Sequence, residues 1–330
     1  MINVAINGFG RIGRSALKLI FQNKKMRLVA INDLGDINNL AYLLKFDTVQ
    51  GRYEKQVKVV GGNLMVGTTK IAVSKEMDPA KIPWKKLKVD VVLECTGVFT
   101  KKEDAAKHLQ AGAKKVLISA MSKSDGLVTV VRGVNDSKAK NQKIVANASC
   151  TTNCVAPIMS VIDDAFGVEK SLLTTVHAIT ASERTVDLAN PKDWREGRAA
   201  GSNIIPSTTG AAIATAITLP QLKDKFDGIS LRVPVICGSI SDIVILTKKN
   251  VTVEEVNKVL LKASKTSRYK GIIEVSEDEL VSTDILGTTA STIVDSQFTR
   301  VVGGNLVKIL AWYDNEWGYA NRLVEMITKL

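Results

Sequence analysis

Asn3-Val4-Ala5-Ile6-Asn7-Gly8-Phe9-Gly10-Arg11-Ile12-Gly13 decides the fold of this chain. A short apolar run leads into Gly-x-Gly-x-x-Gly, and beyond it Ile12, Ala16 and Ile20 recur at helical spacing. A second apolar run, Leu28-Val29-Ala30-Ile31, ends in Asn32-Asp33. The order is strand, glycine turn, helix, strand. With Asp33 twenty residues beyond Gly13, the spacing is that of a dinucleotide-binding βαβ unit. Gly8, Gly10 and Gly13 let the backbone approach a pyrophosphate at a helix N-terminus, while the acid accepts from the ribose hydroxyls. A carboxylate at position 33 also repels a ribose 2′-phosphate, which favours NAD over NADP.

Working outward, the helical pattern Ile37, Leu40, Ala41, Leu44 precedes strand-like runs at 57–60 and 71–73. Further strands are expected at 89–94, 115–119, 127–131 and 144–147, with a helix over 103–110. Continuous apolar strands separated by helices indicate an α/β fold with a doubly wound, Rossmann-type parallel sheet. Thr96-Gly97 and Ser119-Ala120 follow two of these strands, at the carboxyl edge where such sheets bind ligands. Thr96 and Ser119 are therefore candidate cofactor contacts, although plain βα turns would read the same way.

After residue 149 the texture changes. A strand at 171–180 is followed by a polar stretch to Asn203 holding Arg184, Arg195 and Arg198. Loops of this length are uncommon unless they line a site or join subunits. Strands at 228–235, 242–246 and 306–312 and a helix at 253–263 indicate an α+β domain with a mixed, largely antiparallel sheet, before a closing helix at 316–330. A cofactor domain over 1–149 and a catalytic domain over 150–315 are expected.

The second domain opens on Ser149-Cys150-Thr151-Thr152-Asn153-Cys154. An apolar run precedes it and a helical pattern (Val155, Ile158, Met159, Ile162) follows, so Cys150 falls in the first turn of a helix capped by a hydroxyl. Unpaired N–H groups and the positive end of the helix dipole favour thiolate there, the placement of a nucleophile. Cys154, one turn deeper, reads as structural. A thiol nucleophile needs a base, and His177, at the end of a strand, has the address for one. A purely structural His177 is the alternative, and His108, mid-helix among charged residues, reads as a surface group. Thr180, Thr209, Gly210 and Arg232 are small or polar groups among apolar strands; Arg232 must meet either a bound anion or a structural acid.

Composition narrows the function classes. The 330 residues carry 45 Lys+Arg against 33 Asp+Glu, a net charge of +12 that suits phosphorylated metabolites, nucleotides, nucleic acid or an acidic surface. Aromatics are only 5% and the charges are dispersed, so nucleic acid is at most a secondary partner. The first residues lack a signal-peptide pattern, and the most apolar long stretch, 204–219, is broken by Pro206 and hydroxyls; no membrane span and a cytoplasmic location are expected. Four cysteines (Cys95, Cys150, Cys154, Cys237) and two histidines provide neither a disulfide framework nor a metal site.

Taken together these residues resemble the phosphorylating glyceraldehyde-3-phosphate dehydrogenase family over essentially the whole chain. The resemblance rests on Asn7 to Arg14, Asn32-Asp33, Ala148 to Cys154, Thr174 to Ala178, Asn203 to Ala212, Arg232-Val233-Pro234 and Trp312 to Glu316. It implies that Cys150 attacks the aldehyde, that His177 serves as base and acid, and that inorganic phosphate cleaves a thioester. It further implies a substrate-phosphate site at Thr180 and Arg232, an attacking-phosphate site at Ser149, Thr151, Thr209 and Gly210, and a phosphate-binding role for Arg195. NAD contacts fall on Gly8, Gly10, Arg11, Ile12, Gly13, Asp33, Thr96, Ser119 and Asn315. A homotetramer is implied, with the loop at 181–203 reaching a neighbour and the helix at 316–330 completing the cofactor domain. Met77 before Asp78-Pro79, Met121 in Ser119-Ala120-Met121-Ser122, and Ala189 after Leu188 depart from the common pattern; Met121 bears on the stiffness of its turn, Met77 on the adenine contact, and Met77 with Ala189 on how strictly NAD is preferred. Erythrose-4-phosphate dehydrogenase is the nearest rival, and the hydroxyls at 207–209 with Thr180 argue against it.

Overall fold

The computed structural model describes residues 1–122 and 124–330. They fall into two compact units, Met1–Val130 with Asp136–Ala148 and Ala320–Leu330, and Val131–Asn135 with Ser149–Tyr319.

In the first unit β1 (Ile2–Asn7), α1 (Arg11–Ile20) and β2 (Met26–Asn32) lead to α2 (Ile37–Lys45) and a ribbon of β3 (Phe46–Asp47) with β4 (Gly51–Arg52). Then come β5 (Val57–Val60), β6 (Asn63–Val66), β7 (Thr69–Ser74), β8 (Val91–Glu94), α3 (Lys102–Gln110), β9 (Lys115–Ile118) and β10 (Ile144–Ala146). The sheet order is β10-β9-β8-β1-β2-β7-β6-β5, parallel from β10 to β7, with β6 and β5 added antiparallel at one edge. Strand order reverses at β1, so the carboxyl ends of β1 and β8 flank the crevice where such sheets take ligands. Every residue of β8 is buried, which is why it reads as an unbroken apolar run ending in Glu94.

Two expectations fail here. Residues 127–131 form no strand, only an isolated bridge from Thr129 to Ala146. The pairing stops at the Val130 N to Ala146 O bond, after which Val131 N donates to the Asn135 side chain at 2.8 Å. His108 is not a surface group but fully buried. Ala105 and His108, three residues apart, share the inward face of α3 while the charged residues around them occupy the outward face.

The second unit contains α4 (Cys150–Phe166), β11 (Val168–Ala178), β12 (Ile205–Thr208), α5 (Ala211–Thr218), β13 (Phe226–Val233), β14 (Ser239–Thr247), α6 (Val253–Ser264), β15 (Ile273–Ser276), β16 (Thr292–Val302) and β17 (Leu306–Tyr313). Helix α7 (Trp317–Met326) follows and ends in a 3₁₀ turn, Ile327–Lys329, so the closing helix is shorter than 316–330. The seven-stranded sheet runs β12-β13-β11-β14-β17-β16-β15. It is antiparallel except for β11 with β13 and β15 with β16. Burial alternates along β14, so one face packs Ile243 and Ile245 against Ile158, Met159 and Ile162 of α4 and Val256 and Leu260 of α6. Strand β12, which contains Pro206, sits at the sheet edge, where a missing N–H breaks no central ladder. Thr252 and Glu255 form a reciprocal capping box at the start of α6.

Candidate active site

In the first unit the glycine turn does three separate jobs. Gly8 has φ +89°, and a Cβ there would lie 2.7 Å from Thr96 N, so β1 and the turn after β8 touch backbone to backbone. A Cβ on Gly13 would lie 2.3 Å from the Gly8 carbonyl oxygen, which lets α1 pack directly onto the turn. A Cβ on Gly10 would meet nothing within 4 Å. No protein neighbour explains that glycine, and Gly10, as N-cap, supplies no side-chain acceptor to the first turn of α1. Open space above uncapped helix N–H groups is what a pyrophosphate requires. Asp33 is oriented by two backbone donors, Phe9 N to Oδ2 at 2.6 Å and Gly35 N to Oδ1 at 2.8 Å. The Arg11 guanidinium is drawn to Asp47 at 2.6 Å. Burial would raise the Asp47 carboxyl, but the Arg11 hydrogen bond and the Gln50 and Val49 N–H groups hold it below its ordinary value. Thr96 and Ser119 follow the ends of β8 and β9, where Ser119 N donates to the Glu94 carbonyl. These residues fit an NAD molecule along the glycine turn. Among the described residues no group of three His, Cys, Asp or Glu could hold a metal, and no helix is long and apolar enough to cross a membrane.

In the second unit Cys150 stands at the start of α4. Ala148, buried and non-glycine, has φ +54°, a left-handed conformation that costs on the order of 1–3 kcal/mol. It delivers Ser149 as the N-cap of α4, whose side chain accepts from Thr152 N at 3.1 Å, and leaves Cys150 as the first helical residue. Cys150 Sγ lies 3.4 Å from His177 Nε2. His177 pairs in register with Arg232 across β11 and β13, and Ile205 of β12 lies opposite Arg232 on its other side. His177 Nδ1 is 2.6 Å from the Ala178 carbonyl oxygen, which turns the Nε2 side of the ring toward the thiol. Arg232 Nη1 approaches Nδ1 to 2.6 Å and donates to the same carbonyl at 3.2 Å.

Burial pushes the Cys150 thiol above its ordinary value, against the pull of Arg232 and of the Thr151 hydroxyl and N–H. Burial and then Arg232 depress His177 to about 4. Arg232 and the N–H groups at the helix start act in the direction that favours a thiolate, and desolvation acts against them. Cys154 is buried and pushed to about 12 by desolvation, an inert thiol.

Two partners were not singled out from the sequence. Glu183, its side chain buried, has Oε1 3.4 Å from Arg232 Nε, while its Oε2 accepts from Thr180 N at 2.7 Å and Thr180 Oγ1 at 3.1 Å. It is the acid that a half-buried Arg232 requires, and it ties Thr180 to Arg232. Tyr313 bridges two buried hydroxyls, Thr151 Oγ1 and Thr175 Oγ1, at 2.8 Å each, and its ring meets the His177 ring edge-on. Nothing local marks either residue; only the demand of a buried cation for an anion pointed to Glu183. Thr209 and Gly210 lie at the start of α5, where Ala211 N donates to Thr209 Oγ1 at 3.2 Å. Asn315 is buried, and its Oδ1 accepts from Gly238 N at 3.1 Å and Ser239 Oγ at 2.9 Å. That fixes the amide with its NH₂ available to a ligand. Arg195, itself exposed, opens a 3₁₀ turn, Arg195–Gly197, with its backbone N–H bonded to Asp193.

A glycine turn that fits a pyrophosphate and a thiol–imidazole pair point to a dinucleotide-dependent dehydrogenase. Family models described as "Glyceraldehyde 3-phosphate dehydrogenase, NAD binding domain" and "Glyceraldehyde 3-phosphate dehydrogenase, C-terminal domain" match residues 2–102 and 149–315. The chain is 52% identical to a glyceraldehyde-3-phosphate dehydrogenase of Streptomyces coelicolor over 98% of this chain and 97% of that protein. It is 49% identical to one of Geobacillus stearothermophilus over 98% and 97%, and 47% identical to glyceraldehyde-3-phosphate dehydrogenase 1 of Kluyveromyces lactis over 99% of each. The chain belongs to the glyceraldehyde-3-phosphate dehydrogenase family, and is an NAD-dependent oxidoreductase.

Proposed function

We propose that the protein oxidises D-glyceraldehyde 3-phosphate to 1,3-bisphosphoglycerate through a thiohemiacetal and thioester on Cys150, as in glycolysis. The observation that carries this reading is the 3.4 Å approach of Cys150 Sγ to His177 Nε2 at the start of α4. Arg232 and Thr180 hold the phosphate of the substrate. As the aldehyde carbon closes on Sγ, the thiol proton passes to Nε2, and the Cys150 N–H and imidazolium stabilise the new oxyanion. Bound NAD supplies the acceptor for the hydride that leaves this carbon. Ser149, Thr151, Thr209 and Gly210 hold the second phosphate, which attacks the thioester carbonyl and restores the thiol. Asn315, its Oδ1 already engaged, offers its NH₂ to the nicotinamide carboxamide. The domain division at 149–150, with the closing helix returning to the cofactor domain, belongs to the same reading. So do a cytoplasmic location and a homotetramer, in which Arg195 and the loop at 181–203 serve a neighbouring cofactor site. Exposed Leu172, Ile229 and Leu306 on the second sheet, and Trp194 on the loop, support the assembly.

The test is the initial rate of NAD reduction with and without phosphate or arsenate. Turnover should require the oxyanion, and phosphate-independent turnover, or faster turnover on erythrose 4-phosphate, sinks the proposal. A solution mass other than four chains removes the tetramer.

A further inference from the structure

Beneath the glycine turn runs a buried polar chain that has no part in the chemistry above. Glu94, the last residue of β8, has a fully buried side chain. Its Oε2 lies 2.6 Å from Asn7 Nδ2 and 3.0 Å from His108 Nε2. Its Oε1 accepts from Thr96 N at 2.8 Å and also from the Thr96 hydroxyl. A buried carboxylate with no cation against it is tolerated only when donors fill its lone pairs.

The direction of each of these bonds is set from outside. Glu76 N donates to Asn32 Oδ1 at 2.8 Å, and Asn32 Nδ2 donates to the Glu76 carbonyl at 2.9 Å, so backbone decides which end of that amide is which. The same Nδ2 donates to Asn7 Oδ1 at 2.8 Å. Asn7 must then turn its own NH₂ toward Glu94. At the other end Trp84 Nε1, a donor only, meets His108 Nδ1 at 3.0 Å. Nδ1 is thereby the acceptor, and Nε2 carries the ring hydrogen to Glu94. Every group that reaches Glu94 is a donor, and only an acceptor-only side chain satisfies them together.

The segments so joined are those that meet the cofactor. Asn7 precedes Gly8, Asn32 precedes Asp33, and Thr96 opens the turn on which Gly8 packs. We propose that Glu94 is a positioning residue for NAD: by gathering Asn7, Thr96 and His108 on one carboxylate, it sets the register of the glycine turn, Asp33 and the Thr96-Gly97 turn. The inference rests on NAD binding by the first unit and not on the Cys150 chemistry, so a calorimetric titration tests it even if phosphate-dependent turnover fails.

Glu94→Gln keeps the shape but places an NH₂ against Asn7 Nδ2 and His108 Nε2. Leaving buried donors unmatched should weaken NAD binding at least about tenfold, with kcat at saturating NAD changed by less than about twofold. Adding Trp84→Phe removes the hydrogen that pins His108, so Nε2 can accept from the introduced amide and part of the NAD affinity should return. A merely structural Glu94 would give no such rescue, because Trp84→Phe by itself loses both packing and the bond to His108 Nδ1. Unchanged NAD affinity in Glu94→Gln overturns the proposal, as does a double variant that binds no better than the single one. Should the variants fail to fold, ¹⁵N NMR of the unaltered protein decides, because it has only two histidines. His108 must show unprotonated Nδ1 and protonated Nε2, and the opposite tautomer refutes the chain of assignments.

Discussion

Replacing Gly10 with alanine separates a glycine kept for a ligand from glycines kept for the fold. Gly10 has φ −71° and ψ −158°, a conformation alanine adopts freely, and its Cβ would meet no protein atom within 4 Å. Alanine should stabilise the chain by about 0.4–1 kcal/mol through the unfolded state, offset by a loss of about 0.5–1 kcal/mol for the poorer N-cap. The net change is below about 1 kcal/mol, a shift in Tm of no more than roughly 2–4 °C. NAD binding should nevertheless weaken at least about tenfold, or about 1.4 kcal/mol, because the new methyl stands where the pyrophosphate must approach the helix. Gly8→Ala is the contrast: φ +89° and a Cβ 2.7 Å from Thr96 N impose strain of about 1–3 kcal/mol before any overlap is relieved, so stability and affinity should fall together. Thermal melting without NAD and calorimetric titration with it, on both variants, provide the four numbers needed. The reasoning is refuted if Gly10→Ala binds NAD as the unaltered protein does, or if it loses as much stability as Gly8→Ala.

Because burial raises the Cys150 thiol, alkylation of the ligand-free enzyme should keep accelerating as pH rises toward and past the ordinary thiol value of 9.0, and Arg232→Leu should move the profile higher still by removing a nearby cation. A rate that levels off at about pH 7 would show a thiolate already formed. Thr252→Ala breaks the capping box of α6 and should cost about 1 kcal/mol of stability, with no change in NAD affinity; melting and titration check both parts.

The residues legible in the sequence were those announced by a local pattern: Gly8, Gly10 and Gly13 by the Gly-x-Gly-x-x-Gly spacing, Asp33 by its place at the end of the second strand, and Cys150 by the helix start that Ser149 caps. Failures came where the partner is distant. His108 reads as exposed from its charged neighbours, yet its bonds run to Trp84 and Glu94, 24 and 14 residues away. Glu183 and Tyr313 acquire meaning only through Arg232, Thr151 and Thr175.

By itself the sequence determined the class of each unit, the glycine turn and the placement of Cys150 at a capped helix start, because strand and helix periods, glycine turns and helix caps are local properties of the backbone. Only the tertiary structure decided what surrounds that thiol: His177 comes from β11 and Arg232 from β13, with Glu183 against Arg232, and the burial they bring works against the thiolate that a helix start favours.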